Sequence, residues 1–183
     1  SIIGIMGGGQ LGRMTALAAA NLGYRCHIYT EETDSPAAQV SATTTVASYK
    51  DHEALTQFAK AVDLITYEFE NIPLSSMTLL NKIRSIRPSP SILAISQHRG
   101  KEKEFAVQHG VNVTPYEIIK KISDLESAIK TRGTPSVLKT SRFGYDGKGQ
   151  IVINEPAEIH SAWNQLSSDD LVLEQFIAFE KEI

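Results

Sequence analysis

The chain has 183 residues, 42% hydrophobic and 21% charged, with a formal net charge of -3, which excludes disordered and collagen-like chains and fits an ordinary globular protein. That length allows one large domain or two small ones, burying roughly 70% of the unfolded surface. Cut between Gln97 and His98, the chain has 7 basic and 8 acidic residues before the cut and 11 and 13 after it, so neither half carries the basic footprint that nucleic acid or an anionic membrane requires.

Residues 2–6 form a short apolar run ending in glycines. Leu11 to Leu22 then carries Met14, Leu17, Ala18 and Leu22 at helical spacing before Gly23, a natural C′ residue. This predicts a strand, a turn and a helix. Arg25 to Thr30 reads as a second strand holding the one cysteine, Cys26, a buried thiol suited to a reducing cytoplasm. Thr43 to Ala47 reads as a third strand, Asp51 caps a helix running to Val62, and Asp63 to Phe69 reads as a fourth strand. Strands alternating with helices imply βαβ units and a doubly wound parallel sheet, hence an α/β fold.

Residues 85–91 hold two of the seven prolines in a polar setting, which predicts an extended connection and a boundary between a domain of residues 1–90 and a second region of residues 91–183. In the second region a charged helix is expected from His98 to His109, stopped by Gly110. Ser123 to Glu126 reads as a capping box opening a helix to about Arg132. Ser136 to Thr140 and Gln150 to Asn154 read as strands flanking a loop, Pro156 to Leu166 as helical, and Leu171 to Ile177 as a strand. The last stretch, Glu180 to Ile183, shows no turn or cap, so the second region is expected to be truncated, with an unpaired apolar edge at its final strand. No apolar run approaches the ~18 residues of a membrane helix, the first residues have no basic targeting segment, and the five histidines show no zinc-ligand spacing.

Eight of the twelve glycines fall in two clusters, five within residues 4–12 and three within residues 144–149, and glycine lets successive N–H groups converge on an anion. In the first, Gly7 to Gly12 satisfies G-x-G-x-x-G between a strand and a helix, with Glu31 about twenty residues on. The same turn serves any phosphate at a helix N-terminus, so the pattern reads as a phosphate cradle rather than as a nicotinamide site in particular. In the second, Lys139 leaves a strand and Gly144 to Gln150 (GYDGKGQ) follows. The three cations Lys139, Arg142 and Lys148 against Asp146 suit a polyphosphate under a closing loop. Lys148 is followed by glycine, so this is not a Walker A loop.

The strand lysine, the glycine loop and the acidic segment Glu174-Gln175-Phe176-Ile177 resemble the first part of an ATP-grasp domain, and the preceding glycine-loop sheet resembles its pre-ATP-grasp, Rossmann-like partner. Within that superfamily, Gly7 to Met14 (GGGQLGRM), Thr66 to Asn71 (TYEFEN), Arg99 and Lys139 to Gln150 are similar to the N5-carboxyaminoimidazole ribonucleotide synthetase family of purine biosynthesis, over about its N-terminal half. The resemblance implies nucleotide contacts at Arg99, Lys139, Gly144, Tyr145, Asp146, Gly147, Lys148, Gly149, Gln150, Glu174, Gln175, Phe176, Ile177 and Glu182. Lys139 and Arg99 would meet phosphates, Glu174 the exocyclic amine, the main chain of Gln175 to Ile177 the adenine edge and Glu182 the ribose. It implies substrate contacts at Gly9, Gln10, Leu11, Glu70, Tyr145 and Asp146, with Gly9 to Leu11 beside the phosphate-bearing sugar.

The implied reaction is that of an ATP-dependent ligase: ATP and bicarbonate give carboxyphosphate, which carboxylates the exocyclic amine of aminoimidazole ribonucleotide. ATP and Mg2+ are the implied cofactors, with metal ligands beyond residue 183 and none within the chain. A cytoplasmic homodimer is implied, with an isolated 183-residue chain that does not turn over. The alternatives are a different ATP-grasp acceptor, as in biotin carboxylase or the formate-dependent glycinamide ribonucleotide transformylase, a Rossmann NAD-dependent oxidoreductase resting on Gly7 to Gly12 and Glu31, and a non-catalytic nucleotide-binding module.

Overall fold

The computed structural model describes residues 1–144 and 148–181. Tyr145, Asp146, Gly147 and Glu182, all expected at the site, lie outside them. The chain divides into two compact units, Ser1–Ala94 and Ile95–Ile183.

The first unit runs β1 (Ile2–Met6), α1 (Gln10–Asn21), β2 (Arg25–Thr30), a short 3-10 turn (Ala38–Val40), β3 (Thr43–Val46), α2 (His52–Lys60), β4 (Leu64–Tyr67) and α3 (Leu74–Ile83). Its four strands form a parallel sheet in the order β3-β2-β1-β4. Ile65 also bridges Ile86 in parallel, so the proline-rich segment begins as a short addition to the sheet. Successive side chains on a strand point to opposite faces, and here both faces are covered. Ile5, Cys26 and Ile28 pack with Ala16 and Ala19 of α1, while Met6, Tyr29 and Ile65 pack with Leu55 and Phe58 of α2 and Met77 and Leu80 of α3. Each large apolar side chain so buried contributes about 1.5–3 kcal/mol.

Local signals set the helix ends. The Asp51 carboxylate accepts from the N–H groups of Glu53 and Ala54, both at 3.0 Å, and Glu53 and Lys60 sit at the termini that the helix dipole favours. Gly23, at φ 79°, closes α1: its N–H donates to Ala20 and that of Tyr24 to Ala19.

The large apolar residues of α1 are not the ones that pack. Gly12, Ala16 and Ala19 are buried, whereas Leu11, Met14, Leu17 and Leu22 are exposed. A Cβ on Gly12 would come within 3.2 Å of both the Ala37 Cβ and the Gly7 carbonyl. The helix therefore lies too close to its neighbours for large side chains on that face, and its leucines point outward.

The second unit contains α5 (Arg99–Gln108), β5 (Tyr116–Ile119), α6 (Ile122–Arg132), β6 (Ser136–Thr140), β7 (Gln150–Ile153), a 3-10 turn (Pro156–Glu158), α7 (Ile159–Leu166) and β8 (Leu171–Gln175); a short helix, α4 (Pro90–Ser96), precedes it. The sheet is antiparallel in the order β5-β8-β6-β7, with a core of Ile119, Leu125, Ile129, Leu138, Ile153, Leu171 and Leu173 between it and helices α6 and α7.

Three expectations are corrected here. Strand β8 is no edge: β5 and β6 flank it on either side, so the apolar run from Leu171 to Leu173 is fully buried. The α6 cap is Asp124 reaching back to the N–H groups of Lys120 and Lys121 at 3.1 and 3.2 Å, because Lys121, not Ser123, is the N-cap. Helix α4 begins at Pro90, within the stretch of residues 85–91 expected as an extended connection, and helix α3 and strand β5 stand where the sequence pattern assigns no element.

Candidate functional site

In the first unit the strand order reverses beside β1, which has β2 on one side and β4 on the other. Ligands of doubly wound sheets bind outside the carboxyl ends of the strands at such a point. A cavity of about 360 Å³ lies there, and its walls include Gly8, Gly9, Thr30, Glu31, Tyr49 and Glu68.

The glycine turn leaving β1 is occupied from within. Gly7, at φ 113°, turns the chain and donates to the Tyr29 carbonyl at 2.9 Å. The Glu68 carboxylate, just past β4, then accepts from the Gly9 N–H at 2.7 Å and the Gly12 N–H at 3.2 Å. These are donors that a phosphate cradle would offer at the start of α1. Glu31, in the position of a ribose-reading acid, accepts from the Tyr49 N–H at 2.9 Å. Both carboxylates are thus engaged by this chain's own backbone. Burial, reinforced by the charges of Glu31, Glu68 and Glu32, pushes the Tyr49 hydroxyl up and keeps it a neutral donor.

Of the expected substrate residues, Gly9 lines the cavity and Gln10 opens α1, while the Leu11 side chain is 60% exposed. On the β4 side the wall is Glu68, Phe69 and Asn71; Glu70 is exposed and is not part of it. Glu68 carries no motif that distinguishes it from Glu70, since only the strand end decides which of the two turns inward.

In the second unit the candidates gather on the sheet face opposite helices α6 and α7. The register pairs Val137 with Glu174 and Lys139 with Val172, so Lys139 and Glu174 are diagonal neighbours on one face. The Lys139 Nζ donates to Glu174 Oε2 at 2.8 Å. Helix α5 packs on this face through Gly100, whose added Cβ would meet Ile118 Cδ1 at 2.7 Å, and it carries Lys103, whose Nζ lies 3.1 Å from Glu174 Oε1 and 5.6 Å from the Tyr116 ring centroid.

Glu174 is 8% exposed. Burial raises its carboxyl, but Lys139 and Lys103 outweigh that, and its pKa is net lowered. One carboxylate against two lysines leaves one positive charge in a low-dielectric setting, where it attracts an anion strongly. Glu174 is thus paired with both lysines. Lys103 was missed: in Lys101-Glu102-Lys103-Glu104 it looks like a solvated helix charge, and its only signal is its position one turn after Arg99.

Arg99 begins α5, its N–H donating to the Ser141 carbonyl and its Nη2 to the Gly144 carbonyl, both at 2.9 Å. His98 caps the helix, its Nδ1 accepting from the Lys101 N–H while its Nε2 lies 3.1 Å from Asp170. The glycine loop is closed at its base, where Thr140 N–H donates to the Gly149 carbonyl at 2.8 Å and Gln150 pairs with Lys139. Lys148 enters the turn leading to β7. At the end of β8, Gln175 N–H donates to the Pro115 carbonyl and Phe176 N–H to the Pro135 carbonyl, and Phe176 and Ile177 are 40% and 50% exposed. Among the described residues no group of three His, Cys, Asp or Glu side chains could hold a metal ion, and no helix is long and apolar enough to cross a membrane.

Comparison with known proteins accounts for both units. Residues 1–97 match the ribonucleotide synthetase pre-ATP-grasp domain family and residues 104–183 the ATP-grasp domain. The N5-carboxyaminoimidazole ribonucleotide synthase of Brucella melitensis is 41% identical over all of this chain and 51% of its own length. The crystal structure of N5-carboxyaminoimidazole synthetase from Staphylococcus aureus complexed with ADP superposes with a TM-score of 0.94 at 35% identity, covering 99% of this chain and 48% of that one. The Aspergillus clavatus enzyme in complex with ADP and 5-aminoimidazole ribonucleotide superposes at 0.88 with 26% identity, covering 98% and 47%. The chain thus spans about half the length of these relatives. The parallel sheet with its glycine turn, followed by the antiparallel sheet with its lysine-bearing strand, belongs to the ribonucleotide synthetase pre-ATP-grasp family, continued by the first part of an ATP-grasp domain.

Proposed function

We propose that this chain forms the N-terminal part of an ATP-dependent ligase that carboxylates aminoimidazole ribonucleotide with bicarbonate through carboxyphosphate, in purine biosynthesis. The observation that carries the reading is the Lys139–Glu174–Lys103 cluster beside the Arg99-anchored glycine loop, in a chain 41% identical to a synthase of that name.

In this reading Lys139, Lys103 and Arg99 form the cationic floor for the ATP phosphates, and residues 144–150 close over them and keep water from the phosphorylated intermediate. Glu174 holds the two lysines at a fixed spacing. The purine edge is read at the end of β8 by the backbone of Gln175 to Ile177, where the N–H groups of Gln175 and Phe176 serve the Pro115 and Pro135 carbonyls and the Ile177 carbonyl accepts from the Phe179 N–H. Glu182 would take the ribose, and Tyr145 and Asp146 the aminoimidazole. The residues described here do not make a magnesium site, and the ions that neutralise charge in phosphoryl transfer would be held by the remainder of the ATP-grasp domain. A cytoplasmic homodimer accompanies this reading.

The test is ADP release with bicarbonate and aminoimidazole ribonucleotide, for this chain beside a version carrying the rest of the ATP-grasp domain. Turnover is expected only in the longer protein, together with ADP binding by both. Release of ADP that is indifferent to aminoimidazole ribonucleotide would overturn the choice of acceptor.

A further inference from the structure

Helix α5 starts on a histidine. His98 is its N-cap, a position where a short side chain, Ser, Thr, Asp or Asn, ordinarily accepts a free N–H of the first turn. Here the imidazole Nδ1 takes the Lys101 N–H at a long 3.4 Å, and the ring extends further to place Nε2 3.1 Å from Asp170 Oδ2. With Nδ1 accepting, a neutral ring carries its proton on Nε2, so the bridge to the carboxylate is a donated bond. The other carboxylate oxygen of Asp170 accepts from Lys120 Nζ at 2.7 Å. The Asp170 carbonyl accepts from the Ser141 N–H at 2.9 Å, one step beyond the Thr140–Leu171 pair of the β6–β8 ladder. An aspartate cap would set a second carboxylate against Asp170, and a serine is too short to reach it. Both duties together call for an acceptor near the root of the side chain and a donor farther out.

The next residue is Arg99. Its N–H, one of those that a helix start leaves free, donates to the Ser141 carbonyl, and its Nη2 reaches the Gly144 carbonyl, both at 2.9 Å. Ser141 therefore joins the two contacts, with its N–H on Asp170 and its carbonyl on Arg99. The end of β6, the start of β8 and the start of α5 are tied together at His98 and Arg99. An arginine on a loose backbone spreads its guanidinium over many positions, and fixing that backbone beforehand lowers the ordering cost of holding a ligand.

We propose that His98 is a positioning residue for the nucleotide site: through its bridge to Asp170 it holds Arg99 across the base of the glycine loop, and so raises the affinity for a nucleoside diphosphate without serving as a ligand itself. This rests on the reading of Arg99 as a phosphate-binding group. The cap at Nδ1 stabilises α5, and the bridge at Nε2 aims Arg99.

The two duties come apart by substitution in the 183-residue chain. His98→Asn keeps an acceptor at the cap, where asparagine is among the preferred residues, and loses the reach to Asp170; His98→Gln extends an amide donor toward Asp170 and loses the cap. The denaturation midpoint of His98→Asn is expected to stay near that of the wild type while its ADP affinity falls about three- to tenfold, the scale of coupling within one hydrogen-bond network. His98→Gln is expected to show the converse, a lower midpoint with affinity nearer the wild type. In an Arg99→Ala background, His98→Asn is expected to cost no further affinity. In the unliganded chain, the Arg99 Nε–H resonance is expected to be single and sharp in the wild type and displaced or broadened in His98→Asn. Unchanged affinity and an unmoved Arg99 resonance in His98→Asn overturn the proposal, and so does an equal loss of affinity in the Arg99→Ala background. Affinity and midpoint falling together in both variants would make His98 a structural cap only. If the chain binds no ADP, the nucleotide reading fails, and the Arg99 resonance still decides whether His98 positions that side chain.

Discussion

The two glycine clusters of this chain solve opposite electrostatic problems with the same residue. At Gly7 to Gly12 the backbone presents N–H groups, and a carboxylate of the chain itself, Glu68, takes them. At Gly144 to Gly149 a cation, Arg99, takes a backbone carbonyl, and the cations Lys139 and Lys103 share one carboxylate, which leaves positive charge over. Glycine spacing in a sequence thus reports where the backbone must come close to something. The charge of that something is set by residues far along the chain: Glu68 is 59 positions from Gly9, and Gly144 is 45 from Arg99.

The sharpest way to break the comparison is Gly7→Ala. The residue sits at φ 113° and its Cβ would strike Glu68, so strain and overpacking together should cost about 3–5 kcal/mol, read as a large fall in the denaturation midpoint. Lys139→Ala should leave the fold standing, since Lys103 still pairs with Glu174, and weaken ADP binding by about 1.5–3 kcal/mol; loss of the fold with binding intact would make Lys139 structural.

Glu174→Gln should destabilise the chain by about 1–2 kcal/mol at neutral pH, because the amide replaces a charge-assisted bond to each lysine. Its pH signature is distinctive. The native carboxyl is lowered below the ordinary value, so its contribution is complete above about pH 4.5, the ordinary glutamate range, and is lost as pH falls through the lower native value. The variant should therefore show a shallower acid limb in a stability-against-pH profile. Gly144→Ala should have the smallest effect, about 1 kcal/mol: its Cβ would meet Arg99 Nη2 at 3.0 Å, the Lys148 carbonyl at 3.2 Å and Thr140 Oγ1 at 3.4 Å, and of these the end of the arginine side chain can shift while the carbonyl resists.

Much of this was legible in the sequence, and the failures have physical causes. Strands β1, β2 and β6 were bounded correctly because short apolar or alternating runs end at glycine or polar residues. Helix α1 is legible, but its buried face is not: hydrophobic periodicity ranks leucine and methionine above alanine and glycine, while a helix lying close on a sheet selects the small stripe Gly12, Ala16, Ala19. Strand β5 follows Pro115 and is only four residues long, too short for period-two alternation to register. At the sites, Lys139 is marked by the glycine loop that follows its strand, and Glu174 by the family resemblance. Their pairing with one another, and the presence of Lys103 on the other oxygen of Glu174, follow from strand register and from how α5 seats through Gly100, which no linear pattern records.

The central place of β8 bears on the order in which the second unit assembles. Tyr116 pairs with Glu174 and Ile119 with Leu171, and β5 has β8 as its only sheet neighbour among the described strands. On a ribosome, β6 and β7 can close as a local hairpin as soon as they emerge, but β5 waits through more than fifty residues of synthesis before its partner exists. Closing so long a loop is slow, and strands left unpaired meanwhile are exposed to aggregation. Lys139 and Glu174 meet only at that final step, so the cationic cluster is among the last features of the unit to form as the chain is made.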